Sequence, residues 1–237
     1  MKTVEVLVAE YDQSQITRQE YPCAGVAVLA MRSTVDLVAF GAAIGLEAAP
    51  HDNKGNVLWD VQPKPAAIGH QARSHTSDEF TWHTDASFEA EPPRYFALQV
   101  LHGDRFGGGT QRFIPIGGLL HGLPATTQDV LHNEELSWTV PLEFRKGSDH
   151  ASLPVLFPDD SDQGVSIRYR EECIDNAALA GRRAAALATL QAAIRSSIVT
   201  SHQPSAGEVI LVDNRHALHA RDEIRDTARH LQRVRFV

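Results

Sequence analysis

Apolar positions in this chain fall in short runs, and only one stretch sustains a helical period. Residues 24–31 (AGVAVLAM) are apolar almost throughout and predict a buried strand. Residues 34–48 (TVDLVAFGAAIGLEA) predict a helix opening at Thr34, with Val35, Val38, Ala39 and Ala42 near one face, although Gly41 and Gly45 weaken it. From Pro50 to about Gln71, Pro, Gly, Asn and His dominate and predict loop with short strands. Strands are predicted over 80–88 and 94–101, where RYFALQVL combines β-formers with alternation. DRFGGGTQRF then reads as a glycine-rich turn entering another strand. A long helix is predicted over 177–199, capped by Asp175 or Asn176. Its Leu187, Leu190, Ile194 and Ile198 recur at three- and four-residue steps. EVILVDN (208–214) predicts a buried strand, and the alternating RHLQRVRFV (229–237) ends the chain in a sheet. Many short strands with one substantial helix predict a mainly β fold with helices, a sandwich or barrel in its jelly-roll version.

Length and charge narrow the functional classes. The 237 residues suit a single domain, 1–237. The formal net charge of -8, from 22 Lys+Arg against 30 Asp+Glu, argues against a nucleic-acid or anionic-membrane partner. A small anionic substrate remains compatible, because a pocket needs only one or two local arginines. Cys23 and Cys173 show no paired spacing and read as two free thiols. The opening MKTVEVLVAEYDQ lacks the pattern of a signal peptide, and no run reaches the length of a membrane span, so a cytoplasmic protein is expected.

The most informative stretch is FTWHTD, residues 80–85. On a strand, His83 and Asp85 point to one face, so an imidazole and a carboxylate project into the same space. A third ligand from a distant strand would complete a two-His, one-carboxylate facial set, which suits non-heme Fe(II) and leaves three adjacent coordination positions open. His216 and His219, in VDNRHALHA, both qualify on spacing. His230 would face away from Arg229 on an alternating strand.

On that last strand Arg229, Leu231 and Arg233 share a face. The two arginines lie about 13 Å apart, four steps of about 3.3 Å. Aimed inward they would be costly without anions to meet them, and a dicarboxylate supplies such anions. As edge-strand surface charges they would instead blunt aggregation, and that is the commoner role. Thr110 follows Gly107-Gly108-Gly109, a run that can be a flexible tip or an anion nest but not a phosphate loop. Arg73, His75 and Glu79 precede the metal strand and read as solvated loop groups, with pocket lining as the alternative.

Taken together and in order, WHTDASF, PPRYFALQVLHGDRFGGGT, VDNRHALHA and RHLQR resemble the TauD/TfdA and clavaminate-synthase-like branch of Fe(II)/2-oxoglutarate oxygenases, over roughly residues 70–237. The resemblance implies a double-stranded β-helix, or jelly roll. It implies His83, Asp85 and His219 as the iron ligands, choosing His219 over His216. It further implies Thr110 and Arg229 on the distal carboxylate of 2-oxoglutarate, and Arg233 on an anionic group of the substrate. The chain is shorter than most members, so lid segments that define substrates there are expected to be trimmed.

The activity implied is O2-dependent hydroxylation of an unactivated C–H bond, coupled to conversion of 2-oxoglutarate to succinate and CO2. Asp85 stands where related halogenases carry a small residue, which favours hydroxylation; desaturation or cyclisation uses the same machinery. A small polar acid is the expected substrate, a free amino acid or derivative of a biosynthetic pathway. A cupin-like isomerase or sensor would use the same three ligands but would have no need for Arg229 with Thr110.

Overall fold

In the computed structural model, which describes residues 2–52, 54–65, 72–145, 147–159 and 164–237, two β-sheets face each other and helices cover their outer sides. The chain opens with α1 (Val4–Glu10), the hairpin β1 (Ile16–Cys23) and β2 (Val26–Met31), α2 (Leu37–Ala43), β3 (Ala48–Ala49) and β4 (Trp59–Val61). Then come β5 (Phe80–His83), β6 (Tyr95–His102), β7 (Gln111–Pro115), α3 (Ile116–His121) and α4 (Ala125–Asn133). Four short strands follow: β8 (Glu135–Thr139), β9 (His150–Pro154), β10 (Leu156–Pro158) and β11 (Val165–Ile167). The chain finishes with α5 (Gly181–Ser196), β12 (Thr200–His202), β13 (Glu208–Asp213), β14 (Ala217–Arg221) and β15 (His230–Phe236).

The larger sheet runs β1-β2-β13-β6-β15-β3, with β4 also on β15; the smaller runs β12-β7-β14-β5. All their pairings are antiparallel. Alternation decides which side each residue serves. On β13, Val209 and Leu211 pack outward with Leu7, Leu37 and Phe40, whereas Ile210 and Val212 pack inward with Phe96, Leu98 and Phe113. A third cluster, around Trp138, Tyr169, Leu187 and Leu190, fills the space behind the smaller sheet.

Three predicted elements shift. The first helix opens at Leu37, not Thr34, because the Asp36 side chain accepts from the N–H groups of Val38 and Ala39. Its buried face is Leu37, Phe40, Gly41 and Ile44; Val38, Ala39 and Ala42 are solvent-facing. The larger side chains win the core because they bury more apolar area. Asp175 caps only the short 3-10 turn Asn176–Ala178, and α5 starts at Gly181. It ends at Ser196, so Leu187, Leu190 and Ile194 are buried while Ile198 is 90% exposed. Strand β5 stops at His83 rather than running to 88. Of the expected loop before it, residues 53 and 66–71 lie outside the described residues.

Candidate metal centre and adjoining cavities

The register of the smaller sheet sets His83 of β5 directly opposite His219 of β14. Cross-strand partners share a face, and the two imidazole centroids lie 4.1 Å apart. His83 Nδ1 donates to the Thr81 carbonyl at 2.7 Å, which leaves the Nε2 lone pair free. The Phe80 ring stacks on His83 at 3.6 Å, fixing its plane.

Asp85 reaches the same point from a turn, not from the strand on which the sequence put it. Its Oδ1 is 3.8 Å from His83 Nε2 and 3.7 Å from His219 Nε2, and the ligand atoms of all three residues lie within 4.8 Å of one another. The turn is held at several points. Thr84 N–H donates to the Tyr169 carbonyl at 2.7 Å, and Asp85 N–H donates to Asn214 Oδ1 at 2.6 Å. The amide of Asn214 donates in return to the carbonyls of Asp85 (3.1 Å) and Pro93 (2.8 Å). Ala86 follows at φ 54, a left-handed backbone that costs a non-glycine residue about 1–2 kcal/mol. The Asn214 clamp offsets that strain.

His216 is built into a different network. Its Nδ1 faces Asp213 at 3.0 Å and its Nε2 faces Asp159 at 3.3 Å. Arg94 bridges the same two carboxylates at 2.9 and 3.2 Å. Of the two histidines that spacing left open, His219 therefore stands with His83 and Asp85.

Arg229, Leu231, Arg233 and Arg235 form the inward face at the end of the larger sheet, opposite Val100, Leu98 and Phe96 across the β15–β6 pair. They are not surface charges. Arg229 is 1% exposed, and neither of its terminal nitrogens has a hydrogen-bond partner. Burial first, then the neighbouring Arg221 guanidinium, pull its pKa down to about 9, so it stays charged at neutral pH. The glycine turn makes room for it: at Gly109 (φ +68) a Cβ would lie 2.8 Å from Arg229 Nε.

Arg229 lines a cavity together with Gln111, Phe96, Arg221, His83 and His219. Thr110 is placed otherwise than the resemblance implies. It precedes β7 by one residue, so its side chain points away from the cavity that Gln111 faces, and its hydroxyl donates to Gln203 at 2.8 Å.

Arg233 lies against the carboxylate of Asp85, at 2.9 Å from Oδ1 and 2.8 Å from Oδ2. Burial pushes the Asp85 carboxyl up, but Arg233 and then His219 and His83 outweigh it and hold the group well below the usual range. Burial and the adjacent imidazole likewise keep His83 neutral.

A second cavity opens on the other side of Asp85 and shares Ser74, Phe80 and Arg233 with the first. Its walls include His51, Arg73, Arg170 and Arg235. Of the loop residues before β5, Arg73 thus lines a cavity. His75 instead stacks on Trp59 at 5.2 Å, and Glu79 pairs with Arg112. His51, Arg170 and Gln111 carried no local sequence signal, whereas Arg235 continues the alternation of Arg229 and Arg233.

Residues 25–235 match the taurine catabolism dioxygenase TauD, TfdA family. The chain belongs to that family. Among curated relatives, L-asparagine oxygenase of Streptomyces coelicolor is 30% identical over 173 residues, 73% of this chain and 50% of that protein. L-lysine 3-hydroxylase of Catenulispora acidiphila is 26% identical over 194 residues, 76% of this chain and 50% of that protein. This TauD-family chain thus spans about half the length of the curated relatives it matches. A crystal structure of asparagine oxygenase with Fe(II), 3-hydroxyasparagine and succinate superposes with a TM-score of 0.73 at 24% identity, covering 90% of this chain and 74% of that one.

The residues present fit both groups that such a family member would carry. Two imidazole nitrogens and a carboxylate converge as a ferrous ion requires. A buried guanidinium with two partnerless terminal nitrogens, in the cavity that His83 and His219 also line, is a seat for a carboxylate. The chain is mainly β, and no helix of the described residues is long and apolar enough to cross a membrane.

Proposed function

We propose that this chain is an Fe(II)- and 2-oxoglutarate-dependent oxygenase that hydroxylates an unactivated C–H bond of a small polar acid, an amino acid or its derivative. The observation that carries this reading is the pairing of the His83–Asp85–His219 set with the partnerless Arg229 across one cavity. An isomerase or sensor on the same ligands gives no reason to bury that guanidinium. In the proposal His83, Asp85 and His219 hold the metal, and Arg229 holds the distal carboxylate of 2-oxoglutarate. Gln111 takes the second polar contact there, since the Thr110 hydroxyl already donates to Gln203. Arg233 receives an anionic group of the substrate once Asp85 turns to the metal.

When bound, iron with 2-oxoglutarate and O2 would supply the oxidation: one oxygen atom goes to the succinate formed with CO2, and the other to the substrate's C–H bond. The chain's own work is positional. His83 presents Nε2 because Thr81 holds the other nitrogen, and Asn214 fixes the Asp85 turn. Phe80 and Phe96 screen the ligand atoms from water. We read the two facing sheets as a jelly roll and residues 1–237 as one domain. We further read the protein as cytoplasmic, with small molecules rather than nucleic acid or membrane as partners; the net charge of -8 supports this.

The test is anaerobic addition of Fe(II) and 2-oxoglutarate, which should give the weak visible charge-transfer band of the chelate, followed by O2 and measurement of succinate. Absence of both the band and any thermal stabilisation by 2-oxoglutarate would overturn the reading.

A further inference from the structure

The cavity beyond Asp85 is unusual in its charge. Arg73, Arg170, Arg233 and Arg235 line it, and among its described lining residues Asp85 is the one carboxylate. The outer two arginines are already answered at the rim, Arg73 by Asp78 at 3.3 Å and Arg170 by Glu172 at 2.8 Å. Of the inner two, Arg233 has only Asp85, which the metal would claim, and Arg235 gives one terminal nitrogen to Glu89 at 3.3 Å. Both Nε atoms are buried without an acceptor.

These two inner arginines are alternate residues on the inward face of β15, so their Cα atoms are separated by about 6–7 Å. The two carboxyl carbons of a four- or five-carbon dicarboxylate are roughly 4–5 Å apart, from C–C bonds of about 1.5 Å. The spacing accommodates one such acid with a guanidinium at each end.

We infer that the substrate is an acidic α-amino acid, one carboxylate on Arg233 and the other on Arg235. This rests on the oxygenase reading above and narrows its substrate class. It separates the chain from its relatives, one named for asparagine and one for lysine. A cationic side chain about 5 Å from either guanidinium would be disfavoured by roughly 100-fold. An amide would leave one buried guanidinium without a charged partner.

The experiment measures succinate release with L-aspartate, L-asparagine, L-glutamate, L-glutamine, L-lysine, L-arginine and the amine-free glutarate, in samples whose anaerobic chelate band is recorded first. One or both acids should exceed the matching amide by tenfold or more in kcat/KM, with the basic amino acids slower still. Arg235→Met should abolish that preference, and Arg235→Lys, which keeps the charge without the planar fork, should restore part of it. A sample with no band and no stabilisation by 2-oxoglutarate refutes the oxygenase reading itself. With the band present, an amide serving as well as its acid, neither acid raising succinate release, or glutarate matching L-glutamate would overturn the inference.

Discussion

Arg229 gives the sharpest test, because its two states should respond to mutation in opposite directions. In the ligand-free protein it is a buried cation whose terminal nitrogens meet no acceptor. Arg229→Met replaces it with an apolar chain of similar length, so the ligand-free protein should be as stable as before or more so, by about 1–4 kcal/mol. With 2-oxoglutarate the sign reverses. Removing one partner of a buried charge pair costs about 2–5 kcal/mol, equivalent to roughly 30-fold to a few thousandfold in Kd. Ligand at a hundred times Kd stabilises a protein by about 2.7 kcal/mol, or about 5–11 °C in Tm for a chain of this size. In the variant at the same concentration, a 30-fold weaker site leaves less than about 1 kcal/mol. The assay is anaerobic thermal melting with Fe(II), with and without 2-oxoglutarate, beside urea melts of the ligand-free forms. A variant clearly less stable when ligand-free, yet within tenfold of the parent in 2-oxoglutarate affinity, would refute the reasoning.

Three further outcomes follow from named contacts. His219→Ala should abolish iron retention, whereas His216→Ala should spare it and lower stability by freeing Asp213 and Asp159; the reverse iron contents, read by metal analysis, would reject the ligand assignment. Asn214→Ala strands the Asp85 N–H and two carbonyls, so it should lose about 3 kcal/mol of stability and about 10–100-fold in iron affinity; unchanged affinity in a metal titration would count against the clamp. Burial first, then Arg233, lower the His51 pKa to about 3, so between about pH 6.5 and 3 the unfolded chain takes up a proton that the folded one does not. Stability should therefore fall with pH through that window, by about 2 kcal/mol from this residue at pH 5, and His51→Gln should flatten urea-melt stabilities between pH 7 and 5 by that amount.

The sequence disclosed the metal set more readily than the walls around it. His83 and Asp85 sit two apart, and the resemblance chose His219; the structure gives the physical reason, since His216 is occupied by Asp213 and Asp159. Composition found the buried strand β13, β-formers with alternation found β6, and helical spacing found Leu187, Leu190 and Ile194 of α5. Helical spacing misjudged α2, where weighing small and large apolar residues equally selected Val38 and Ala42 over Phe40 and Ile44. His51 and Arg170 stayed hidden because each is brought to the cavity by a pairing between segments far apart in sequence, which no local pattern encodes; Arg235 continues the alternation of Arg229 and Arg233 and was legible, but was passed over. The orientation of Thr110 turned on a single-residue alternation at the start of β7.

The Asn214 side chain grips the chain at Asp85 and again at Pro93, so residues 86–92 form a loop closed at its base by one amide. Whatever happens inside that loop, its two feet stay put. Evolution or an engineer can therefore exchange the Glu89 side chain while the coordinating carboxylate keeps its aim, whereas Ser87 is buried and Phe88 belongs to the core. Substrate range and metal retention become separately adjustable properties of one polypeptide.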